Sequence, residues 1–231
     1  MKKLTVKLTA TEAVFGWVYL GLQLFVIPTV IVVANLIMGS PLDETGLNII
    51  YFVFNFLCVA LIFRKYLIAC GKIALANKGH TLVSAVFGYL IHWGLSIVVT
   101  VVILLIYPEF NNVNDANIQS MVDDNFILTA IGTILLVPIT EEVLYRGLIF
   151  QGLHGKSRFW AYAVSAIAFC MPHVLGYIGA YSPLHLLLCF IQYLPAGLAL
   201  AWAYERADSI WAPILLHTFV NLAGVGAMIA R

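Results

Sequence analysis

Two adjacent glutamates and one arginine interrupt an otherwise apolar stretch, PITEEVLYRGLIF, at residues 138–150. Glu142 and Arg146 are four residues apart, so on a helix they share a face and can form an ion pair. Glu141 points about 100° away around the helix and has no local cation. Ionisable side chains inside membrane segments are costly and commonly functional. The spacing therefore predicts that Arg146 holds Glu142, which leaves Glu141 for general acid–base chemistry. The alternative is a simple charge cluster at a helix end.

Two further apolar stretches carry polar residues with complementary chemistry. His173 lies in AFCMPHVLG, whereas His217 and Asn221 lie four residues apart in LLHTFVN and share a helical face. A carboxylate and a histidine can hold and deprotonate water, and a His/Asn pair can donate hydrogen bonds to an oxyanion. Together these groups predict peptide-bond hydrolysis without a side-chain nucleophile. Singly, each is also explained as a packing residue or as a polar contact between helices.

The composition excludes an ordinary soluble domain. Of the 231 residues, 62% are hydrophobic and only 10% are charged, whereas soluble domains carry about 25% charged residues. We therefore expect one all-α, polytopic membrane domain without nucleic-acid partners, since the net charge is only +1. The cysteines form no Cys-x-x-Cys pair and are expected to be buried free thiols. They are Cys58, Cys70, Cys170 and Cys189.

Hydrophobic runs predict seven transmembrane helices, with an eighth left open. Each run can cross a hydrocarbon core of about 30 Å. The runs cover approximately residues 13–38, 47–63, 81–107, 126–150, 159–180, 184–204 and 209–230. The first is too long for a cleaved signal peptide and is expected to be retained. His92, His185 and Gln192, inside these runs, are interpreted as packing residues, and His80 and His154 fall in predicted loops.

The distribution of basic residues predicts a cytoplasmic N-terminus. In that orientation every Lys and Arg except Arg231 lies on or toward the inner side, as the positive-inside rule requires. The segment 64–80 is then an inner loop and the segment 108–125 an outer loop. The outer loops carry acidic residues and no basic ones, namely Asp43, Glu44, Glu109, Asp115, Asp123 and Asp124.

Three short motifs carry a family resemblance. EEVLYRG, FCMPH and HTFVN resemble, in this order, the EExxxR, FxxxH and HxxxN motifs of the CAAX protease and bacteriocin-processing (CPBP, or Abi) family. The segment GLALAWAYERADSIWAPILLHTFVN is similar to the last two core helices of that family. The resemblance extends to the type II CAAX prenyl endopeptidases. It covers residues 126–225 as a four-helix catalytic core and leaves residues 1–108 as N-terminal helices of unassigned role.

This resemblance implies a glutamate-dependent intramembrane endopeptidase of the bacterial plasma membrane that needs no cofactor. Glu141 and His173 would activate water, and His217 and Asn221 would form the oxyanion hole. Glu142 and Arg146 would support the site. The implied partners are membrane lipid and a hydrophobic or lipidated substrate, either a prenylated CAAX protein or a peptide precursor such as a bacteriocin leader.

Three alternatives stay open at this point. Glu141, His173 and His217 could be zinc ligands of a metalloprotease, although no His-Glu-x-x-His helix is present. The protein could instead provide self-immunity to a bacteriocin without cleaving anything. A transporter is the third alternative, but the sequence has no repeat of the kind that secondary transporters show.

Pro172 makes the position of His173 the least certain element of the predicted site. Proline removes a backbone donor and tends to kink a helix. At about 1.5 Å per residue, His173 lies about 22 Å from the inner boundary, deeper than Glu141 and His217. The site can assemble only if the fifth span begins deeper in the cytoplasm, tilts, or bends at Pro172.

Overall fold

The computed structural model describes residues 4–230, and this part of the chain forms eight helices and no β-strand. The prediction of an all-α, multi-pass membrane protein is confirmed, because seven of these helices are long and apolar enough to cross a membrane. Lys2, Lys3 and Arg231, which the orientation argument uses, lie outside the described residues. The helices are α1 Ala10–Ile37, α2 Glu44–Ile62, α3 Arg64–Ala76, α4 Lys78–Ile106, α5 Val113–His154, α6 Arg158–Leu175, α7 Pro183–Ala207 and α8 Trp211–Ile229.

The predicted outer loop at 108–125 is wrong, because most of it is helical. Asn112 caps α5, and its Oδ1 accepts hydrogen bonds from the backbone N–H groups of Asn114 and Asp115. The fourth span therefore begins at Val113 rather than near residue 126. Asn125 has non-helical angles (φ −152°, ψ 87°) and kinks α5 near the predicted start of the span.

The predicted inner loop at 64–80 is also mostly helical. It forms the short helix α3, which begins directly after α2 ends. Tyr66 and Cys70 are buried on one face of α3, and its exposed face carries Arg64 and Lys65. This amphipathic pattern suits a helix that lies at the end of the bundle without crossing the membrane.

Two prolines widen the helices that contain them. A π-helical segment, Leu22–Val26, precedes Pro28 in α1, and another, Ile131–Leu136, precedes Pro138 in α5. Proline has no N–H and its ring clashes with the carbonyl one turn earlier, and a wider turn relieves both problems. The third π-helical segment, Val143–Phe150, lies in α5 and includes Arg146.

The helix ends remove the difficulty about the depth of His173. Helix α5 continues to His154, four residues beyond the predicted end, and α6 begins at Arg158. Glu141 is thus about 20 Å from the end of its helix, and His173 about 22 Å from the start of α6. Helix α6 is interrupted at Met171, resumes at Pro172 and ends at Leu175 rather than near 180.

The start of α8 packs against α3. Ser209 Oγ donates to the Cys70 carbonyl at 3.0 Å, and Trp211 Nε1 donates to the Leu67 carbonyl at 3.2 Å. Because α3 separates this start from the end of the bundle, His217 lies deeper than a count from its own helix end suggests.

Charge divides the bundle into two ends. The basic end is formed by residues 4–9, α3, the α5–α6 connection and the end of α7. The opposite end is formed by the connections 38–43, 107–112 and 176–182, together with the first turns of α5. The described Lys and Arg residues at the basic end are Lys7, Arg64, Lys65, Lys72, Lys78, Lys156, Arg158 and Arg206. This segregation is the basis of the predicted cytoplasmic N-terminus.

Helices α6 and α7 approach closely at Gly197. A Cβ atom at this position would lie 3.0 Å from Ala166 Cα and 3.0 Å from its Cβ. Backbone atoms of a packed helix cannot move aside easily, so only glycine permits this approach.

We expect Gly197→Ala to lower the free energy of unfolding by about 1–3 kcal/mol, the usual cost of overpacking. Thermal or denaturant unfolding of the purified protein in detergent measures the effect. Gly152→Ala is the matched control, because a Cβ at Gly152 would meet no atom within 4 Å. Equal stability of the two variants would contradict the close approach.

The orientation prediction is tested by single cysteines at exposed positions of the two ends, Ser120 and Gly79. A membrane-impermeant thiol reagent should modify Ser120→Cys only from outside the cell and Gly79→Cys only from the cytoplasm. The reverse pattern would show that the N-terminus is outside.

Candidate active site

Glu142 is the buried centre of the polar cluster, with no exposed surface. Its Oε1 accepts a hydrogen bond from Arg146 Nη1 at 3.0 Å and another from His217 Nδ1 at 2.8 Å. The ion pair predicted from the four-residue spacing is therefore present. The same carboxylate oxygen also binds a side chain from α8, which the spacing within α5 does not predict.

Arg146 is fixed by three further features of its surroundings. Its Nη2 donates to the carbonyl of Gly197 in α7 at 2.8 Å. Its guanidinium lies over the ring of Phe169, 4.6 Å from the ring centroid. Arg146 itself has no exposed surface. A cation held in this way has no freedom to reach substrate, so its role is to hold Glu142 in place.

His217 is oriented by Glu142. Because Glu142 is ionised beside Arg146, Nδ1 of His217 must be the donor in their hydrogen bond. Nε2 is then the nitrogen available to substrate, and it donates only when the ring carries both protons. The hydrogen bond from Nδ1 to Glu142 fixes the orientation of the imidazole. An oxyanion role for His217 therefore requires Glu142, a condition that the sequence motif alone does not reveal.

His173 is oriented by its own helix and by α7. Its Nδ1 donates to the carbonyl of Phe169 at 2.9 Å, which leaves Nε2 as a hydrogen-bond acceptor in the neutral ring. The imidazole packs on the ring of Tyr193, with centroids 4.1 Å apart and planes inclined at 32°. The short helix after the break at Pro172 thus holds His173 in one tautomer and one orientation.

Asn221 is anchored by a carbonyl that Pro138 releases. In the π-helical segment of α5, the N–H of Val137 donates to Gly132. Pro138 has no N–H, so neither residue supplies the Thr133 carbonyl with a helical donor. Asn221 Nδ2 donates to that carbonyl at 2.7 Å. The second N–H of its amide is left for substrate.

Glu141 has no comparable anchor. Its Oε2 is enclosed but has no hydrogen-bond partner among the residues that the structure describes. The hydroxyl of Tyr145, one turn further along α5, is also buried without a partner there. An enclosed carboxylate oxygen that no protein group satisfies is available to bind water or substrate.

Four of the six predicted site residues line one cavity of about 1000 Å³, namely Glu141, His173, His217 and Asn221. Glu142 and Arg146 do not line it and lie behind its wall. The structure therefore brings together the residues predicted to touch substrate and separates them from the two predicted to support the site.

Sequence reasoning missed other residues that line the cavity. His92 and Gln192, interpreted as packing residues, both lie on its wall, and so do Tyr51 and Asn55 of α2. A polar stripe was the available signal, because Asn48, Tyr51 and Asn55 recur at helical spacing. The N-terminal helices thus form part of the cavity.

The remaining histidines lie away from the cavity. His185 is buried, and its ring lies 5.5 Å from that of Tyr181. His154, expected in a loop, instead ends α5, where its Nε2 lies 3.0 Å from Glu205 Oε1. All four cysteines are free, and three of them are buried.

The side chains are not arranged as a metal site. Within residues 4–230, no group of three His, Cys, Asp or Glu side chains is close enough to hold an ion. Glu141, His173 and His217 therefore do not converge as the ligand set that the metalloprotease alternative requires. The arrangement instead offers an unanchored carboxylate, an imidazole acceptor and two anchored donors around one space.

The sequence of this chain is similar to one family model and to proteins of two bacteria. The sequence model of the type II CAAX prenyl endopeptidase Rce1-like family matches residues 123–223. The chain is 31% identical over 111 residues to the Bacillus subtilis protein named "Putative membrane peptidase YdiL", covering 46% of this chain and 40% of that protein. It is 29% identical over 94 residues to the Lactococcus lactis "UPF0177 protein YxdF", covering 41% of this chain and 46% of that protein. The matches therefore span less than half of each relative's length. No solved structure matches the chain.

The matched segment runs from the kinked start of α5 into α8. It includes the three motifs EEVLYRG, FCMPH and HTFVN and therefore every residue predicted to form the site. The resemblance to the type II CAAX prenyl endopeptidase (Rce1-like) family, predicted from those motifs, is thus confirmed over residues 123–223.

Proposed function

We propose that this protein is an intramembrane endopeptidase that hydrolyses a peptide bond of a hydrophobic or lipidated, membrane-associated substrate. The observation that carries the proposal is the division between the two glutamates. Glu142 is engaged by Arg146 and His217, while Glu141 is unanchored in the cavity shared with His173 and Asn221. The match to the Rce1-like family and the relative named as a membrane peptidase support the same reaction class.

In the proposed reaction a water molecule lies between Glu141 and Nε2 of His173. Glu141 removes a proton as the water oxygen attacks the carbonyl carbon of the scissile peptide bond. The carbonyl oxygen becomes an oxyanion, to which Nε2 of His217 and the second amide N–H of Asn221 donate hydrogen bonds. The tetrahedral intermediate then collapses, the C–N bond breaks, and Glu141 returns the proton to the leaving nitrogen.

The proposed site needs no metal, because every charge that develops has a protein partner. Glu141 carries the proton between the two steps, and the two donors receive the oxyanion. The runner-up is zinc bound by Glu141, His173 and His217, for which the side chains would have to converge further than they do. Self-immunity to a bacteriocin without any cleavage is the other alternative, and the comparison of released peptides separates it from the catalytic proposal.

The proposed function is tested by comparing the peptides released by membranes that carry the wild-type protein with those released by membranes that carry Glu141→Gln. The comparison also identifies substrates for the later assays. We expect a defined set of cleavage products with the wild type and none with Glu141→Gln, because glutamine keeps the shape of the side chain but cannot accept the proton. The Glu141→Gln protein should keep wild-type unfolding behaviour. Identical peptide sets would refute the proposal.

The matched variant Glu142→Gln tests the division of roles. It removes the charge that compensates buried Arg146, so we expect the free energy of unfolding to fall by about 3–5 kcal/mol, as when buried pairs are broken. Residual cleavage by the folded fraction should exceed that of Glu141→Gln. A stable, inactive Glu142→Gln together with an active Glu141→Gln would show that the roles are reversed.

Asn221→Ala tests the oxyanion hole with a substrate found in that comparison. We expect kcat to fall by about 10²–10³-fold with a smaller rise in KM, because the donor acts mainly in the transition state. Folding should be checked by thermal unfolding, since the contact with Thr133 is also lost. An unchanged kcat with a raised KM would assign Asn221 to substrate binding only.

Metal analysis of the same purified, active protein separates the two catalytic proposals. We expect activity to survive chelator treatment and His217→Ala to leave the metal content unchanged. About one zinc per chain, with activity lost to chelator and restored by zinc, would overturn the metal-free mechanism. It would leave Glu141, His173 and His217 as the site.

A further inference from the structure

The cavity extends from Glu141 toward only one end of the bundle. On α5 it is lined by residues between Asn112 and Tyr145, and on α8 by residues between Leu216 and Met228. The two helices are antiparallel, and both of these portions lie nearer to the opposite end of the bundle than to the basic end. Within the described chain, no residue of the segment 146–168, which leads to and from the basic end, lines the cavity.

The basic end is closed by the segment that precedes α1. The N–H of Leu8 donates to Gln151 Oε1 at 2.9 Å, and Gln151 Nε2 donates to the carbonyl of Val6 at 2.9 Å. The same Nε2 also contacts the hydroxyl of Tyr204 at 2.8 Å. This segment is therefore bound to Gln151 of α5, which in turn binds Tyr204 of α7.

A second set of contacts, made by buried side chains, lies beside this closure. Glu12 is buried and its Oε1 accepts from the backbone N–H of Tyr66 at 2.9 Å. The hydroxyls of Tyr66 and Tyr204 lie 2.8 Å apart. Burial away from water raises the pKa of Tyr66 well above its ordinary value. A substrate could reach Glu141 from the basic end only by breaking these contacts.

The opposite end of the cavity has the chemistry of a peptide-binding surface. Asn112 Nδ2 donates to Gln192 Oε1 at 2.7 Å, and Asn117 Nδ2 donates to the hydroxyl of Tyr177 at 3.0 Å. Amide and hydroxyl groups of this kind can exchange partners with the N–H and C=O groups of an extended peptide.

Among the described Asp, Glu, Lys and Arg residues, those that line the cavity are all acidic. Glu44 and Asp115 line it in addition to Glu141, and no described Lys or Arg lines the cavity. A negatively charged peptide would meet these like charges on its way to the site, whereas a neutral or basic one would not.

From these observations we propose that the substrate enters the site from the opposite end, as a neutral or basic peptide segment exposed at that face of the membrane. The proposal rests on the proposed function only in calling the entering molecule a peptide. The path and its charge are properties of the cavity itself.

Single cysteines on one turn of α8 test the path. Gly224 lines the cavity and a Cβ there would meet no atom within 4 Å, so Gly224→Cys should fold normally. Leu222→Cys is the matched control, because Leu222 is 51% exposed and does not line the cavity. Ser120→Cys and Gly155→Cys report accessibility at the opposite and basic ends, and the wild type gives the background of the four native cysteines.

Sealed vesicles of both orientations are treated with a trimethylammonium-bearing methanethiosulfonate, which does not cross membranes. We expect Gly224→Cys to react from the same side as Ser120→Cys and not from the side of Gly155→Cys. Leu222→Cys should react from neither side, because lipid covers it. Reaction of Gly224→Cys from the side of Gly155→Cys, or from neither side, would overturn the proposal. So would equal reactivity of Leu222→Cys and Gly224→Cys.

The charge of the path is tested with a sulfonate-bearing reagent of the same size. At Gly224→Cys, the reaction rate of the cationic reagent divided by that of the anionic reagent should be higher than the same ratio measured for a small thiol in solution. Glu44→Gln should lower that ratio about twofold to threefold, because removing one negative charge from the path weakens the attraction of the cationic reagent and the repulsion of the anionic one. A ratio at or below that of the free thiol would refute the charge preference.

These labelling rates do not depend on turnover. A protein that releases no peptides but shows the expected labelling would refute the proposed function and leave the access path intact. A protein that cleaves peptides but is labelled from the basic end would keep the function and refute the path.

Discussion

The structure depends on one carboxylate oxygen that accepts two hydrogen bonds inside the membrane-spanning bundle. Oε1 of Glu142 binds Arg146 from its own helix and His217 from α8. Arg146 in turn binds Gly197 of α7 and lies over Phe169 of α6. Four helices therefore meet at one charge pair that has no contact with solvent. Removing either partner would leave an uncompensated buried charge, so this interaction constrains how the helices can pack.

Prolines supply the second constraint on the site. Pro138 and Pro172 each lie within about one turn of a backbone carbonyl that anchors a predicted catalytic side chain. The carbonyl of Thr133 receives Asn221, and that of Phe169 receives His173. Backbone irregularities at membrane depth are tolerated where polar side chains satisfy the freed groups. Here those side chains are Asn221 and His173, which the proposed chemistry requires in fixed orientations. The local backbone irregularities therefore help to position them.

The sequence predicts the contacts that lie within one helix turn and fails for those between helices. The pair of Glu142 and Arg146 follows from a four-residue spacing. The bond from Glu142 to His217 spans 75 residues, and no periodicity indicates it. The roles of the two glutamates stay predictions, but their different surroundings are now explained by a contact that only the fold provides.

The errors at helix ends have the same origin. Hydropathy marks the apolar part of a helix, whereas a cap such as Asn112 sets where it begins. Segments that were expected to be loops are therefore helical at the start of α5 and in α3. The contribution of α2 to the cavity was missed because its polar stripe has no chemical meaning until α5 and α8 are placed beside it.

A double-mutant cycle on stability tests the central claim most directly, because it needs no substrate. The free energies of unfolding of Glu142→Gln, His217→Ala and the double variant are compared with the same cycle built on Glu141→Gln. The account predicts a coupling energy of about 0.5–3 kcal/mol between Glu142 and His217, as for contacting residues, and a smaller coupling energy between Glu141 and His217. Coupling of His217 to Glu141 but not to Glu142 would contradict it.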